Sequence, residues 1–184
     1  MWVALTGTPG TGKTTVATLL RKKGYTIVDI NKLAIKEDFV VGTDKKRHCK
    51  LIDVNNINKY IQKNFKRKDL VFFEGHVAHL LKAMDKIIIL RCHPKELYTH
   101  LLKKKWSHKK IQENIEAEIL DIILCEAVEQ HLKKNIFEID TTRKTPKNVV
   151  SSILEIVQKK FRPTKPYSIG QIDWSEEILK KFPM

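Results

Sequence analysis

The chain has 184 residues, enough for one domain with a full core and room for small inserted lobes. Thirty-five basic against 21 acidic residues leave a formal charge of +14. That balance favours polyanionic partners such as nucleotides, RNA or an acidic protein surface, although lysines spread over helix faces for solubility would produce it equally well. No apolar run is long enough to span a bilayer, and the start of the chain lacks a basic stretch followed by an apolar one. Cys49, Cys92 and Cys125 are odd in number and widely spaced, with no C-x-x-C. A cytoplasmic protein with reduced thiols is expected.

Strands and helices alternate from the start. "WVALT" is a short apolar run bounded by glycine, the pattern of a central parallel strand buried on both faces. "TTVATLLRKKG" has helical spacing and ends on Gly24. "YTIVDI" reads as strand, "NKLAIKED" as helix, and "INKYIQKNFKRK" as a further helix starting near Asn55 or Asn56. "LVFFEG" and "KIIILRC" are strands, and "PKELYTHLLKKK" is a helix with Pro94 in its first turn. "KKIQENIEAEILDIILCEAVEQHLKK" reads as one long amphipathic helix, with Ile111, Ile115, Ile119 and Ile122 on its core face. "IFEID" is a fifth strand and "TPKNVVSSILEIVQKKF" the closing helix. After Phe161, "RPTKPYSIGQIDW" predicts an extended tail ending in a short helix-like "SEEILKKF", with Tyr167 and Trp174 available to dock on the body or on a partner. No internal repeat is present. Five strands with helices between them predict a doubly wound parallel sheet. Two connections, from Asn31 to Asp69 and the basic patch over residues 103–110, are too elaborate for plain crossovers and are expected to carry function.

Residues 7 to 14 read G-T-P-G-T-G-K-T, a full G-x-x-x-x-G-K-[ST] match lying after a strand and before a helix. Its glycines permit the backbone geometry that turns successive N–H groups toward phosphate oxygens, and the following helix adds its positive end. Lys13 supplies a mobile charge for the β and γ phosphates, and the Thr14 hydroxyl is placed for Mg²⁺. A nucleoside triphosphate ligand is therefore expected. Such a site needs a carboxylate at the end of a neighbouring strand, and "LVFFEGH" offers Glu74 with His76 two residues on. His76 and His79 lack the further ligands a zinc site requires. Trp106, among the lysines of the basic patch, suits either a stacking face for RNA or a wedge holding that segment on the core.

The stretches "GTPGTGKTT", "FFEGHVAHLL", "ILRCHPKELY" and "WSHKKIQENIEAEILDIILCEA" together resemble the nuclear-type adenylate kinase family. Its archaeal members are provisionally classed as adenylate kinases; its eukaryotic ones, coilin-interacting nuclear ATPases, are linked to maturation of the small ribosomal subunit. The resemblance runs from the first strand to about Phe161. It implies an α/β nucleoside-monophosphate-kinase fold with strand order 2-3-1-4-5, a core over 1–161, a monophosphate-binding lobe over about 30–53, a short lid over about 103–113, and a C-terminal extension over 162–184. Gly10, Gly12, Lys13, Thr14, Thr15, Lys104 and Lys144 would hold ATP, with Arg143 and Lys144 near the adenine. Arg91 and Asp44 would hold the monophosphate. Lys13, Glu74 and His76 would be catalytic, and Thr14 and Glu74 would hold Mg²⁺, the latter through water. Implied ligands are ATP, AMP and ADP, and implied partners a small-subunit ribosomal protein and ribosomal RNA.

The chain departs from the family in two places. The strand-end acid, usually aspartate, is Glu74. The lid helix, usually R-L-x-x-R-G-[YW], reads "HLLKKKW", so His100, Lys104 and Lys105 replace two arginines and a glycine. Lysine offers a point charge where arginine offers a planar fork, which favours ATP binding over efficient AMP phosphorylation. The readings carried forward are an ATP:AMP phosphotransferase with intrinsic ATPase activity, a nucleotide-driven assembly factor, and, more remotely, a small-metabolite kinase.

Overall fold

The structure, a computed structural model, describes residues 1–44 and 49–177, without the side chains of Asp44 and Cys49. Five parallel strands form the central sheet: β1 (Trp2–Gly7), β2 (Thr26–Asp29), β5 (Val71–Glu74), β6 (Lys86–Arg91) and β7 (Ile136–Asp140). Their spatial order is β2-β5-β1-β6-β7. Numbered among the sheet strands alone this is 2-3-1-4-5, the expected order. An antiparallel hairpin, β3 (Val40–Asp44) and β4 (Cys49–Ile52), stands apart from the sheet.

Alternation along buried strands divides the core between two layers. From β1, Trp2 and Ala4 join Phe73, Ile87 and Ile89 on one face, against Ile30, Ile57, Ile61 and Ala127 from the helices. Val3 and Leu5 join Phe72, Ile88, Leu90 and Ile139 on the other, against Val16, Leu20, Val150, Ile153 and Ile156. The helices supplying these side chains are α1 (Lys13–Lys22), α2 (Ile30–Lys36), α3 (Val54–Asn64), α6 (Ile122–Gln130) and α7 (Pro146–Gln158). A third, smaller cluster joins α4 (Pro94–Leu102) to α5 (His108–Ile119) through Cys92, Leu97, Leu101, Ile111, Ile115 and Ile119.

Helix starts follow side-chain caps. Asp29 accepts the N–H of Lys32 at 3.0 Å, Asp53 that of Asn56 at 2.9 Å, and Thr145 that of Asn148 at 3.2 Å. The third helix therefore begins on Asp53 rather than at Asn55 or Asn56. The long helix expected over residues 109–134 is two. Between α5 and α6, Asp121 adopts a left-handed conformation (φ 54°), and its carboxylate is held by Arg91. The break turns Ile122 out of the core face, leaving it 41% exposed while Ile111, Ile115 and Ile119 stay buried.

The tail docks on the body. Ser168 pairs with Phe137, the Tyr167 hydroxyl donates to Glu155 at 2.5 Å, and the Gly170 N–H donates to Glu138 at 2.8 Å. Trp174 meets His93 edge-on with ring centroids 4.9 Å apart. Most of the "SEEILKKF" segment lies outside the described residues. Cys92 and Cys125 are free thiols, and among the described residues no helix is long and apolar enough to cross a membrane.

Candidate nucleotide site at the sheet edge

Parallel register brings the carboxyl ends of the strands into one line. Leu5 of β1 lies beside Glu74 of β5, Glu74 beside Asp29 of β2, and Gly7 beside Leu90 of β6. Because β1 continues directly into the glycine-rich loop and then α1, the loop emerges at this edge, between strands whose connections run in opposite directions. Gly7 (φ 142°) makes the closest approach: a β-carbon there would lie 2.3 Å from the Leu90 carbonyl oxygen. Gly10 (φ 101°) packs so tightly on α4 that a β-carbon would come within 2.8 Å of Leu97. Gly12 (φ 92°) starts α1 with no side-chain cap, leaving the first N–H groups of the helix to a ligand.

Lys13 is 8% exposed. Its Nζ donates to the carbonyls of Gly7 at 2.6 Å and Thr8 at 3.0 Å, folded back along the loop it serves. Burial lowers its pKa to about 8; Glu74 and Glu118 oppose that shift and Lys104 adds to it. Thr14 is exposed, and its Oγ1 donates to Glu74 Oε1 at 3.3 Å. Glu74 is 7% exposed, and its pKa is raised, by burial first and by the neighbouring Asp29, against the pull of Lys13. Thr15 is exposed on the first turn of α1.

His76 is exposed at the surface, and partial burial first, then the nearby Lys13, His79 and Lys110, lower its pKa to about 4. The shift favours the neutral imidazole. His79 is a packing residue, 1% exposed, with Nδ1 3.1 Å from the Thr6 hydroxyl and Nε2 2.8 Å from Glu126. Both ring nitrogens of His79 thus have protein partners.

Arg91 is placed differently from the phosphate clamp that the resemblance implies. It is 2% exposed. Its Nε donates to Glu118 at 2.9 Å, its Nη1 to Glu138 at 2.5 Å, and its Nη2 to Asp121 and to the Glu118 carbonyl. Burial works against its charge, but the surrounding carboxylates outweigh burial and raise its pKa. A guanidinium so enclosed has no fork to offer a phosphate. Asp44, the other monophosphate candidate, has its side chain outside the described residues. Lys104 is exposed in the turn after α4, and Lys144 is exposed on the loop after β7. Trp106 is half-buried against the α4–α5 cluster, with Lys104 and Lys110 5.1 and 4.4 Å from its ring centre. It wedges the turn onto the body and also carries cations over its face.

Two residues that the motifs did not single out belong to the site's surroundings. Asp29 stands beside Glu74 at the end of the next strand; its signal in the sequence is the same strand-end acid, in "YTIVDI". Glu118 accepts from the Thr8 hydroxyl of the loop as well as from Arg91 and the Cys92 N–H. Its signal was a lone carboxylate on the isoleucine face of α5, which helical spacing places inside.

A family description, "AAA domain", matches residues 3–121. Archaeal proteins named "Putative adenylate kinase" match almost end to end: that of Thermococcus gammatolerans is 40% identical over 96% of this chain and 94% of its own. Those of Pyrococcus furiosus (39%) and Methanocaldococcus jannaschii (37%) each cover 97% of this chain and 96% of their own. The chain belongs to this archaeal adenylate kinase family. It is an enzyme of the nucleoside monophosphate kinase class. A shikimate kinase from Acinetobacter baumannii, in complex with shikimate, superposes with a TM-score of 0.58 over 86% of this chain and 93% of its own. At 17% identity that likeness speaks for the fold.

Proposed function

We propose that the chain is a Mg²⁺-dependent ATP:AMP phosphotransferase with an intrinsic ATPase activity. One observation carries the reading: Lys13, Thr14 and Glu74 meet at the loop mouth, beside Asp29 at the end of β2. The N–H groups of the loop, with Gly10 and Gly12, would receive the β and γ phosphates. Lys13 would leave the Gly7 and Thr8 carbonyls to follow the transferring group. The hydroxyl of Thr14 and the carboxylate of Glu74, with Asp29 behind it, are hard oxygen donors few enough to leave most positions to water and phosphate, which suits Mg²⁺. These residues would hold an ion whose charge would offset that of the phosphates. Thr14 would ligate directly and Glu74 through water. The turn bearing Lys104 would shut water out as it closes, with Lys144 on the adenine side. The 30–53 segment would present the acceptor, and the 162–184 extension would brace the core.

A second reading draws on His76. A neutral imidazole two residues beyond the strand-end carboxylate can accept from, and so orient, a water molecule. That geometry suits hydrolysis and hence an ATPase switch acting on a partner; the resemblance supplies a small-subunit ribosomal protein or ribosomal RNA as candidates. Both readings use one site, and the fate of the γ-phosphate separates them. The purified chain is incubated with Mg·ATP, with and without AMP, and ADP and inorganic phosphate are quantified together. ADP that rises with AMP without matching phosphate release is the expected result. Phosphate release indifferent to AMP would sink the kinase reading in favour of the switch, and turnover retained in Lys13→Ala would sink the placement of the site.

A further inference from the structure

Three side chains with metal-ligating atoms meet where β6 runs into α4. Glu96 and His100 lie one turn apart on α4, and Cys92 precedes the helix, just after the end of β6. One ligand atom of each lies within 4.8 Å of the other two, and among the described residues this is the one such group.

Each side chain is oriented by a second contact. His100 Nδ1 lies 3.1 Å from the Gly10 carbonyl; a proton there leaves the lone pair on Nε2, which sits 3.7 Å from Glu96 Oε1. The other oxygen of Glu96, Oε2, accepts the Arg143 N–H at 2.9 Å. The Cys92 backbone is fixed by its N–H, which donates to Glu118 at 3.0 Å, and its thiol is hydrogen-bonded with Thr141. Ring nitrogens and carboxylate oxygens tied down on one side and open on the other are how metal ligands are held. A helical Glu–His pair accounts for two of these residues but not for the buried thiol beside them. Glu96 and His100 are partly exposed, which leaves the cluster open on one side to an entering ion.

From this geometry we propose that Cys92, Glu96 and His100 form a site for a divalent transition metal of the zinc class, with water in the fourth position. Sulfur and imidazole nitrogen beside one carboxylate select such an ion over magnesium or calcium, which prefer oxygen throughout. Tetrahedral bonds of about 2.0 to 2.3 Å need donors about 3.3 to 3.7 Å apart. Side-chain rotation by the partly exposed Glu96 and His100 closes the remaining gap of about an ångström. As the metal–sulfur bond forms, the Cys92 S–H bond breaks; its proton leaves to solvent and the sulfur keeps the electron pair, so no redox partner is needed. A bound metal ties the end of β6 to His100 and, through the Gly10 carbonyl, to the phosphate loop. None of its ligands is Lys13, Thr14 or Glu74, so the site stands independently of the kinase reading.

The test is a titration of the full chain with Co²⁺ in the absence of nucleotide, followed by displacement with Zn²⁺. One cobalt per chain is expected, with a sulfur-to-cobalt charge-transfer band in the near ultraviolet and the visible bands of tetrahedral cobalt. Cys92→Ser should remove the charge-transfer band and weaken binding by about 100-fold or more, beyond the loss of an outer-shell partner. Glu96→Gln and His100→Ala should weaken binding and shift the visible bands, and Cys125→Ser should change neither. Thermal melts of the metal-free proteins establish that each variant folds. At one zinc concentration the melting temperature should rise most in wild type and Cys125→Ser, less in Glu96→Gln and His100→Ala, and least in Cys92→Ser. A charge-transfer band that survives in Cys92→Ser overturns the proposal. So does cobalt binding that is no tighter in wild type than in that variant. Should Cys92→Ser fail to fold, binding unaffected by both Glu96→Gln and His100→Ala overturns it instead.

Discussion

Lys13 shows how one residue can be held against the interest of the fold. Its buried ammonium has a pKa near 8, well below the ordinary 10.5. The unfolded chain therefore binds more protons than the folded one between those values, and stability rises with pH across that window. Below about pH 8 the charged, desolvated lysine is a standing cost on the order of 3 kcal/mol, part of which its two carbonyl contacts recover. Lys13→Met should abolish ATP turnover yet raise the melting temperature, at about 2–4 °C per kcal/mol for a chain of this size; a melt at pH 7 checks it. Phosphate binding restores the proton, so ATP titrated at pH 9 should take up nearly one proton per site and almost none at pH 7, measured calorimetrically in buffers of different ionisation enthalpy. Glu74→Gln should cost about 10–100-fold in Mg²⁺-dependent turnover, the usual loss when a group that orients a metal's ligands is removed. Lys13, Thr14 and Glu74 were legible because a contiguous motif and a strand end carry them. Glu118 was not, because its partners Thr8 and Arg91 come from distant parts of the chain.

At the scale of the element, the junction between α5 and α6 carries most of the information that sequence periodicity lacks. Apolar spacing runs on through Leu120 and Ile122 as though one helix continued. What breaks it is Asp121, turned into a left-handed conformation beside Arg91, which reaches across from the end of β6. The same guanidinium binds Glu118 in α5 and Glu138 in β7, joining two strands and the helix junction around one charge. Replacing one member of such a buried network leaves the others unpaired. Arg91→Met should therefore lose about 3–5 kcal/mol of stability in urea at pH 7. The loss should shrink toward pH 4.5 as the stranded carboxylates take up protons. A deficit independent of pH would mean that the arginine acts through packing alone.

Over the whole molecule, the C-terminal extension closes what the strands and helices leave open. Ile169 packs on one face of the sheet, Tyr167 on the other, and Trp174 on the α4–α5 cluster. Gly170 satisfies Glu138 at the heart of the Arg91 network. A chain ending at Phe161 should melt well below the full protein, by about 3 kcal/mol or more given that each large apolar side chain contributes about 1.5–3 kcal/mol when buried. Equal melting temperatures would show the extension to be an appendage.

By itself the sequence determined the alternation of strands and helices, the sheet order through its family resemblance, the phosphate loop and the strand-end acid. Those features are written in local patterns: apolar runs with the period of strand or helix, and glycines where backbone must approach a ligand. Tertiary structure alone decided the fate of Arg91, the break at Asp121 and the placing of His100 against the Gly10 carbonyl. Each of these depends on burial and on charges brought together from separate elements. A pKa or a committed guanidinium is set by everything within a few ångströms, and that neighbourhood exists only once the chain has folded.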